Sequence, residues 1–87
     1  MSTVTVRTSH YGNPVAEFPA RTLTAFGTGV AATVVYWDRD YRAFFVRGHY
    51  LNKGGEVGKR RAHTVIGAGD VPADILAALR AHPTLTN

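Results

Sequence analysis

The chain has 87 residues, 45% of them hydrophobic and 18% charged, a composition typical of one small globular domain and not of a disordered segment. It contains no cysteine, which excludes a disulfide framework and a cysteine-based zinc site. The formal net charge of +4 at pH 7 favours an anionic partner.

No export signal is expected from the first residues of the sequence. Residues 1–4 lead directly into a strand-like alternation, without a basic region followed by an apolar run. The longest nearly apolar run, Val30 to Trp37, is too short to span a bilayer. We therefore expect a cytoplasmic protein with no membrane segment.

A strand is predicted at residues 3–8, where apolar and polar positions alternate. Val4 and Val6 fall on one face, and the three threonines and an arginine between and beside them favour a half-buried strand. The cluster at residues 10–14 contains Gly, Asn and Pro, which predicts a turn.

The next stretch is harder to interpret. Residues 15–18 are followed by Pro19, which lacks a backbone donor, so at most an edge strand is expected there. Residues 21–28 weakly favour a further strand, because apolar and polar positions alternate again. A turn is expected at residues 27–29, which carry two glycines.

The clearest strand prediction is Val30 to Trp37, which is largely apolar on both faces. Such a pattern is typical of a central strand with cover on each side. Strict alternation would place Val30, Ala32, Val34 and Tyr36 on one face and Ala31, Thr33, Val35 and Trp37 on the other. The polar residues 38–40 end this strand and predict an antiparallel hairpin with the strand that follows.

Residues 41–51 separate clearly by parity. The even positions are mainly apolar and predict a core face, whereas the odd positions mix aromatic and basic side chains. A glycine-rich loop is expected at 52–58 and a further strand at 59–67. The last three predicted strands and the helix after them are similar, in layout only, to small DNA-binding domains that place a three-stranded sheet in the major groove.

A C-terminal helix is predicted at residues 70–82, followed by a tail at 84–87. Asp70 is expected to cap the first amides, and Asp74 suits the positive end of the helix. Pro83 would end it. The apolar positions form a stripe at helical spacing that would pack on the sheet. The stripe consists of Val71, Ile75, Leu76, Leu79 and Ala78. The predicted fold class is therefore α+β, with a single antiparallel sheet of four or five strands and one C-terminal helix packed on one face.

The positive charge is concentrated between Arg39 and Arg61. This segment holds seven basic and two acidic residues, a net charge of +5, whereas the residues before it sum to zero and those after it to −1. The strands predicted at 41–51 and 59–67 would pair across the glycine-rich loop, and we call this unit, around residues 39–63, the basic hairpin. This pairing puts His49 opposite His63 and Arg47 opposite Val65. The candidate binding residues are Tyr41, Arg42, Arg47, His49, Lys53, Lys59, Arg60, Arg61 and His63.

Arginine and lysine neutralise phosphates and release counterions, and exposed aromatic rings offer stacking surfaces for bases. The sequence thus favours a small non-enzymatic module that binds DNA or RNA through a basic hairpin. The alternative is a protein-interaction factor, an inhibitor or adaptor of viral or mobile-element type, that binds an acidic protein surface. Pairing of two copies through a sheet edge is a further expectation.

Other chemistry is not favoured. The pair of His49 and His63 lacks the third and fourth ligands that metal sites need, so neither a metal nor another cofactor is expected. No nucleophile, base and orienting acid occur together in a pattern that indicates catalysis. Trp37 either forms a cation–π pair with Arg42 or, as the simpler interpretation, covers the core.

Overall fold

The structure, a computed structural model, describes residues 3–83 and consists of one antiparallel sheet and one helix. The five strands lie side by side in chain order. This arrangement confirms the predicted α+β class. The predicted tail at 84–87 lies outside the described residues. The strands are β1 (Thr5–Thr8), β2 (Pro14–Ala25), β3 (Thr28–Asp38), β4 (Ala43–Leu51) and β5 (Val57–Ile66), and the helix is α1 (Ala73–Arg80).

The core lies between α1 and one face of the sheet. Ile75 and Leu79, which lie one helical turn apart, are completely buried, and Val71 before the helix is nearly so. They pack with the inward side chains of the strands in one hydrophobic cluster. The sheet contributes Ala16, Phe18, Leu23, Ala25, Val30, Ala32, Val35, Phe44, Val46, Ala62 and Ile66 to this cluster.

The helix is shorter than predicted and begins later. Asp70 belongs to a preceding 3₁₀ turn, Ala68–Asp70, and does not cap α1. Val71 and Pro72 are extended, so the helix begins at Ala73, with no side-chain hydrogen bond at its cap. The predicted cap was therefore wrong, because the two extended residues Val71 and Pro72 separate Asp70 from the first residue of α1.

Asp74, in the first turn of α1, attaches the helix to β2. Its two carboxylate oxygens accept hydrogen bonds from both terminal nitrogens of Arg21, at 2.9 and 2.6 Å. These hydrogen bonds lower the pKa of the Asp74 carboxyl. The guanidinium of Arg21 also lies 5.5 Å from the ring centre of Phe18.

The predicted edge strand at residues 15–18 is wrong, because β2 runs unbroken through Pro19 and pairs with both β1 and β3. The pairing with β3 shifts between Glu17 and Arg21, and such a bulge accommodates a proline inside a sheet. The hairpin turn that follows consists of Phe26 and Gly27, both with positive φ (49° and 84°), as a two-residue turn requires.

The strand β3 is the central strand, as predicted, but its side chains do not follow strict alternation. Its pairing with β4 shifts between Ala32 and Val34. After this bulge Val35 lies in the core, whereas Val34 and Tyr36 face the other side. The predicted face assignment was therefore wrong beyond Thr33. Of the cover expected on both sides, residues 3–83 supply a helix on one side only.

Gly48 of β4 lies against this bulge. A side chain at this position would overlap the carbonyl oxygen of Ala31 and come within 2.8 Å of the Cα atom of Ala32. Both neighbouring atoms belong to backbone, so they cannot yield without moving β3. The absence of a side chain at Gly48 thus permits the close approach of the two strands.

Replacing Gly48 with alanine should be strongly destabilising. We expect Gly48→Ala to lower the free energy of unfolding by about 2–3 kcal/mol, the range of overpacked interiors, in urea denaturation followed by circular dichroism. Gly54→Ala is the matched control, because nothing lies within 4 Å of the added methyl group. Equal stability of the two variants would contradict the close approach.

Candidate functional site

The face of the sheet opposite α1 carries the candidate site, and we name it the open face. Within residues 3–83, α1 is the only α-helix and packs on the other side of the sheet. The strand register arranges the side chains of the open face in rows across the strands. The first row is Arg7, Val15, Tyr36, Phe45 and Val65, the second is Thr5, Glu17, Val34, Arg47 and His63, and the third is Thr22, Ala31, His49 and Arg61.

Four of the predicted binding residues lie together on the open face. Arg47 is opposite His63, and His49 is opposite Arg61; all four side chains are exposed. The predicted register was wrong by two residues, because β5 contains additional residues between its pairs with His49 and Leu51. A shift of two keeps the same face, so the predicted grouping of these four residues is nevertheless found.

Two more predicted residues lie in the turn between β3 and β4. The Asp38 carboxylate organises this turn by accepting hydrogen bonds from the amides of Asp40 (2.9 Å) and Tyr41 (3.2 Å). Tyr41 is 75% exposed, and its ring centre is 5.8 Å from that of Phe45 at the margin of the open face. Arg42 has a left-handed backbone (φ 52°) and borders a hollow at the sheet end.

The remaining three predicted residues lie near the other end of the hairpin. Lys53 is exposed in the loop after β4, and Lys59 lies in the irregular start of β5. The guanidinium of Arg60 lies 4.4 Å from the ring centre of Tyr50, a side chain packed against the core. Arg60 is thus separated from the four residues of the open face.

Trp37 follows the simpler of its two interpretations. It pairs with Phe44 across β3 and β4, with ring centres 4.9 Å apart in an edge arrangement. It packs against the hydrophobic core as a partly buried side chain. Its cross-strand partner is Phe44, so the alternative pairing with Arg42 is not the one found, and the favoured interpretation as cover of the core is.

Tyr36 is a central residue of the open face that was absent from the predicted set. Its ring is stacked on that of Phe45, at 5.3 Å and 12°, and the Arg47 guanidinium lies 5.7 Å from its ring centre. Its hydroxyl oxygen is 2.7 Å from Nε2 of His63, a hydrogen bond whose donor depends on the histidine tautomer. The alternation within β3 gave no signal of the bulge that brings Tyr36 to this face.

The surroundings of Tyr36 and His63 shift the pKa values of both side chains. Burial raises the pKa of the Tyr36 hydroxyl, and the nearby charge of Arg47 acts in the opposite direction. Burial, and then the charge of Arg47, lowers the pKa of His63. Near neutral pH the pair is therefore uncharged, and the positive charge beside it belongs to Arg47.

Two hollows lie on the open face, and they share Val34, Arg47 and His63 as lining residues. The first, of about 370 Å³, lies between the β1–β2 turn and Tyr36 of the first row. The second, of about 450 Å³, extends towards His49 and Arg61. The two hollows are therefore adjacent, and Arg47 lines both of them.

The basic side chains between Arg39 and Arg61 form no ion pair with another residue of the described range 3–83. Between residues 3 and 83 the ion pairs are Arg7 with Glu17, at 2.8 Å, and Arg21 with Asp74. None of the seven arginines and lysines from residue 39 to residue 61 takes part in either pair. The segment therefore presents its net charge to solvent and can bind anions without first breaking an internal ion pair.

Two further properties of the described chain bear on its chemistry. No group of three or more His, Asp or Glu side chains within residues 3–83 is arranged to hold a metal ion. The one α-helix in this part of the chain is too short to cross a membrane.

The lowered pKa of His63 predicts a pH dependence of stability. The pKa of His63 is lower in the folded protein than in the unfolded chain, so on acidification the unfolded chain binds a proton at this histidine at a higher pH. The stability contributed by neutral His63 is therefore present above the unfolded pKa of about 6.5 and is lost as the pH falls towards the folded pKa. Relative to its melting temperature at about pH 8, wild type should lose more by about pH 5 than His63→Gln. Identical losses, measured by thermal denaturation, would contradict the shift.

Comparisons of the chain with protein-family models, with curated proteins and with solved structures found no match.

Proposed function

We propose that this protein is a small non-enzymatic nucleic-acid-binding module that contacts phosphates through its open face. The observation that carries the proposal is the position of Arg47 and Arg61, which are exposed and form no ion pair within the described residues, on a face that α1 leaves uncovered. Arg47 also lies 5.7 Å from the ring centre of Tyr36. His49 and His63 lie opposite them and enlarge the polar surface.

The chemistry of these side chains suits phosphate. A guanidinium can donate two parallel hydrogen bonds to phosphate oxygens, and it carries its charge at every physiological pH. Neutralising several phosphates releases condensed counterions, which supplies affinity without sequence readout. The rings of Tyr36, Tyr41 and Phe45 add a surface on which bases can stack.

The other predicted residues have different roles in this proposal. Lys53 and Lys59, at the loop end of the hairpin, extend the positive field along the path of a bound strand. Arg42 and Arg60 lie away from the four residues of the open face, and we assign them a long-range electrostatic contribution.

A second candidate function is binding to an acidic protein segment, favoured by the position of β5. This ten-residue strand forms one edge of the sheet and has β4 as its one partner strand within the described residues. It carries Lys59, Arg60 and Arg61 in succession, which would attract an acidic strand added to the edge. Binding to an acidic peptide that persists after nuclease treatment would favour this function.

The proposal predicts a salt-dependent affinity that is sensitive to charge on the open face. Between about 50 and 200 mM salt, binding of a fluorescent oligonucleotide should weaken steeply, because each phosphate contact contributes about 0.7–0.9 to the logarithmic slope. We expect Arg61→Glu to weaken binding about tenfold and to reduce that slope by about one.

The matched control is Arg80→Glu, which makes the same charge change at an exposed position on α1. Its affinity should remain close to that of wild type. An absence of binding to DNA and RNA at low salt would refute the proposal, as would equal weakening by the two reversals, since only net charge would then matter.

A further inference from the structure

The basic hairpin is not a free ribbon. The strand β4 pairs with β3 on one side and β5 on the other, from Ala43 to the level of Tyr50. Near its end, the side chain of Leu51 lies close against Gly29 of β3, where an added methyl group would be 2.9 Å away. The hairpin of β4 and β5 is therefore joined to β3 along the length of β4. It cannot project from the sheet as a separate two-stranded ribbon.

This flanking limits how the open face can meet a duplex. Five strands at about 4.8 Å spacing make the sheet about 19 Å wide. The major groove of B-DNA is about 12 Å wide and admits a helix or a two-stranded ribbon. The full open face is therefore too wide to read base edges inside that groove.

The first hollow has the features of a site for an unpaired base. Its lining includes the apolar side chains of Val15 and Val34 and the rings of Tyr11 and Tyr36. Of the charged residues, Arg7 and Arg47 line it together with Asp38. Its volume of about 370 Å³ is in the range of small-molecule sites. Aromatic rings and guanidinium planes are the surfaces on which proteins stack unpaired bases.

The turn that presents Tyr11 is held in place by hydrogen bonds. The Ser9 amide donates to the Asn13 carbonyl oxygen (2.8 Å), and the Asn13 amide donates to Oγ of Ser9 (3.0 Å). The side-chain oxygen of buried Asn13 in turn accepts from the Arg39 amide. Tyr11 is nevertheless 75% exposed, so its ring is available to a ligand while its backbone is fixed.

Basic side chains also lie beyond the first hollow. Arg47 borders both hollows, and Arg61 lines the second with His49. A strand with one base in the first hollow would pass Arg47 and reach Arg61 with its phosphates. In a duplex the bases are paired and stacked, so this arrangement requires a single strand or an extruded base.

Resting on the function proposed above, we infer that the open face binds single-stranded nucleic acid. One unpaired base occupies the hollow between Tyr11 and Tyr36, and Arg47 and Arg61 contact phosphates of neighbouring nucleotides.

Fluorescence anisotropy with three probes tests the inference. Single-stranded DNA, single-stranded RNA and a DNA duplex of the same sequence and length are compared at one salt concentration. We expect at least one single strand to bind about tenfold or more tightly than the duplex, and its sugar identifies the preferred class. Equal or tighter duplex binding would overturn this inference and leave the proposed function standing, whereas binding of none of the probes would refute both.

A matched pair of variants tests the base site itself. Tyr11→Ala should weaken single-strand binding about tenfold, as loss of one base–aromatic stack does, and leave duplex binding unchanged. Phe26→Ala is the control, because Phe26 is 71% exposed on a turn outside the first hollow. Wild-type affinity of Tyr11→Ala, or equal weakening by both variants, would overturn the assignment of a base to this hollow.

Discussion

The close contact of Gly48 with the bulge of β3 is the constraint on which both surfaces of the sheet depend. The bulge changes the facing of every later residue of β3, so Val35 joins the core while Val34 and Tyr36 reach the open face. The missing side chain at Gly48 lets the two strands lie close at this point. Without that change of face, Tyr36 would compete with the core side chains for the space beneath α1, and the open face would lose its central ring.

Arg21 on the helix side is paired, whereas the open face holds one paired arginine, Arg7, and two that form no ion pair within the described residues, Arg47 and Arg61. On the helix side, Arg21 is held by both carboxylate oxygens of Asp74, so this charge serves to attach α1 to β2. On the open face, Arg47 and Arg61 have no acidic partner within the described chain. Burial, and then the charge of Arg47, lowers the pKa of the neighbouring His63. Neighbouring cations without an acidic partner repel one another and so slightly destabilise the folded state, and a bound anion would remove this repulsion.

Sequence reasoning reached the architecture but not the irregularities. The parity of β4 was readable, because Phe44, Val46 and Tyr50 alternate with Phe45, Arg47 and His49, and this alternation located the four grouped residues correctly even with a wrong register. The bulges were not readable, since they depend on contacts between strands that periodicity within one strand does not record. Two errors arose in this way, the face of Tyr36 and the continuity of β2 through Pro19. The late start of α1 has a separate cause, the 3₁₀ turn and the extended residues Val71 and Pro72 before it.

The central claim is that the ligand lies on the open face, and not on the loop of the hairpin or the helix. The most direct measurement is a ¹H–¹⁵N correlation titration of the labelled protein with an unlabelled single-stranded oligonucleotide at low salt. The account predicts the largest shift changes at the amides of Tyr36, Arg47, His63 and Arg61, with residues 73–80 unchanged. Changes confined to the loop at 52–56 or to α1 would contradict it.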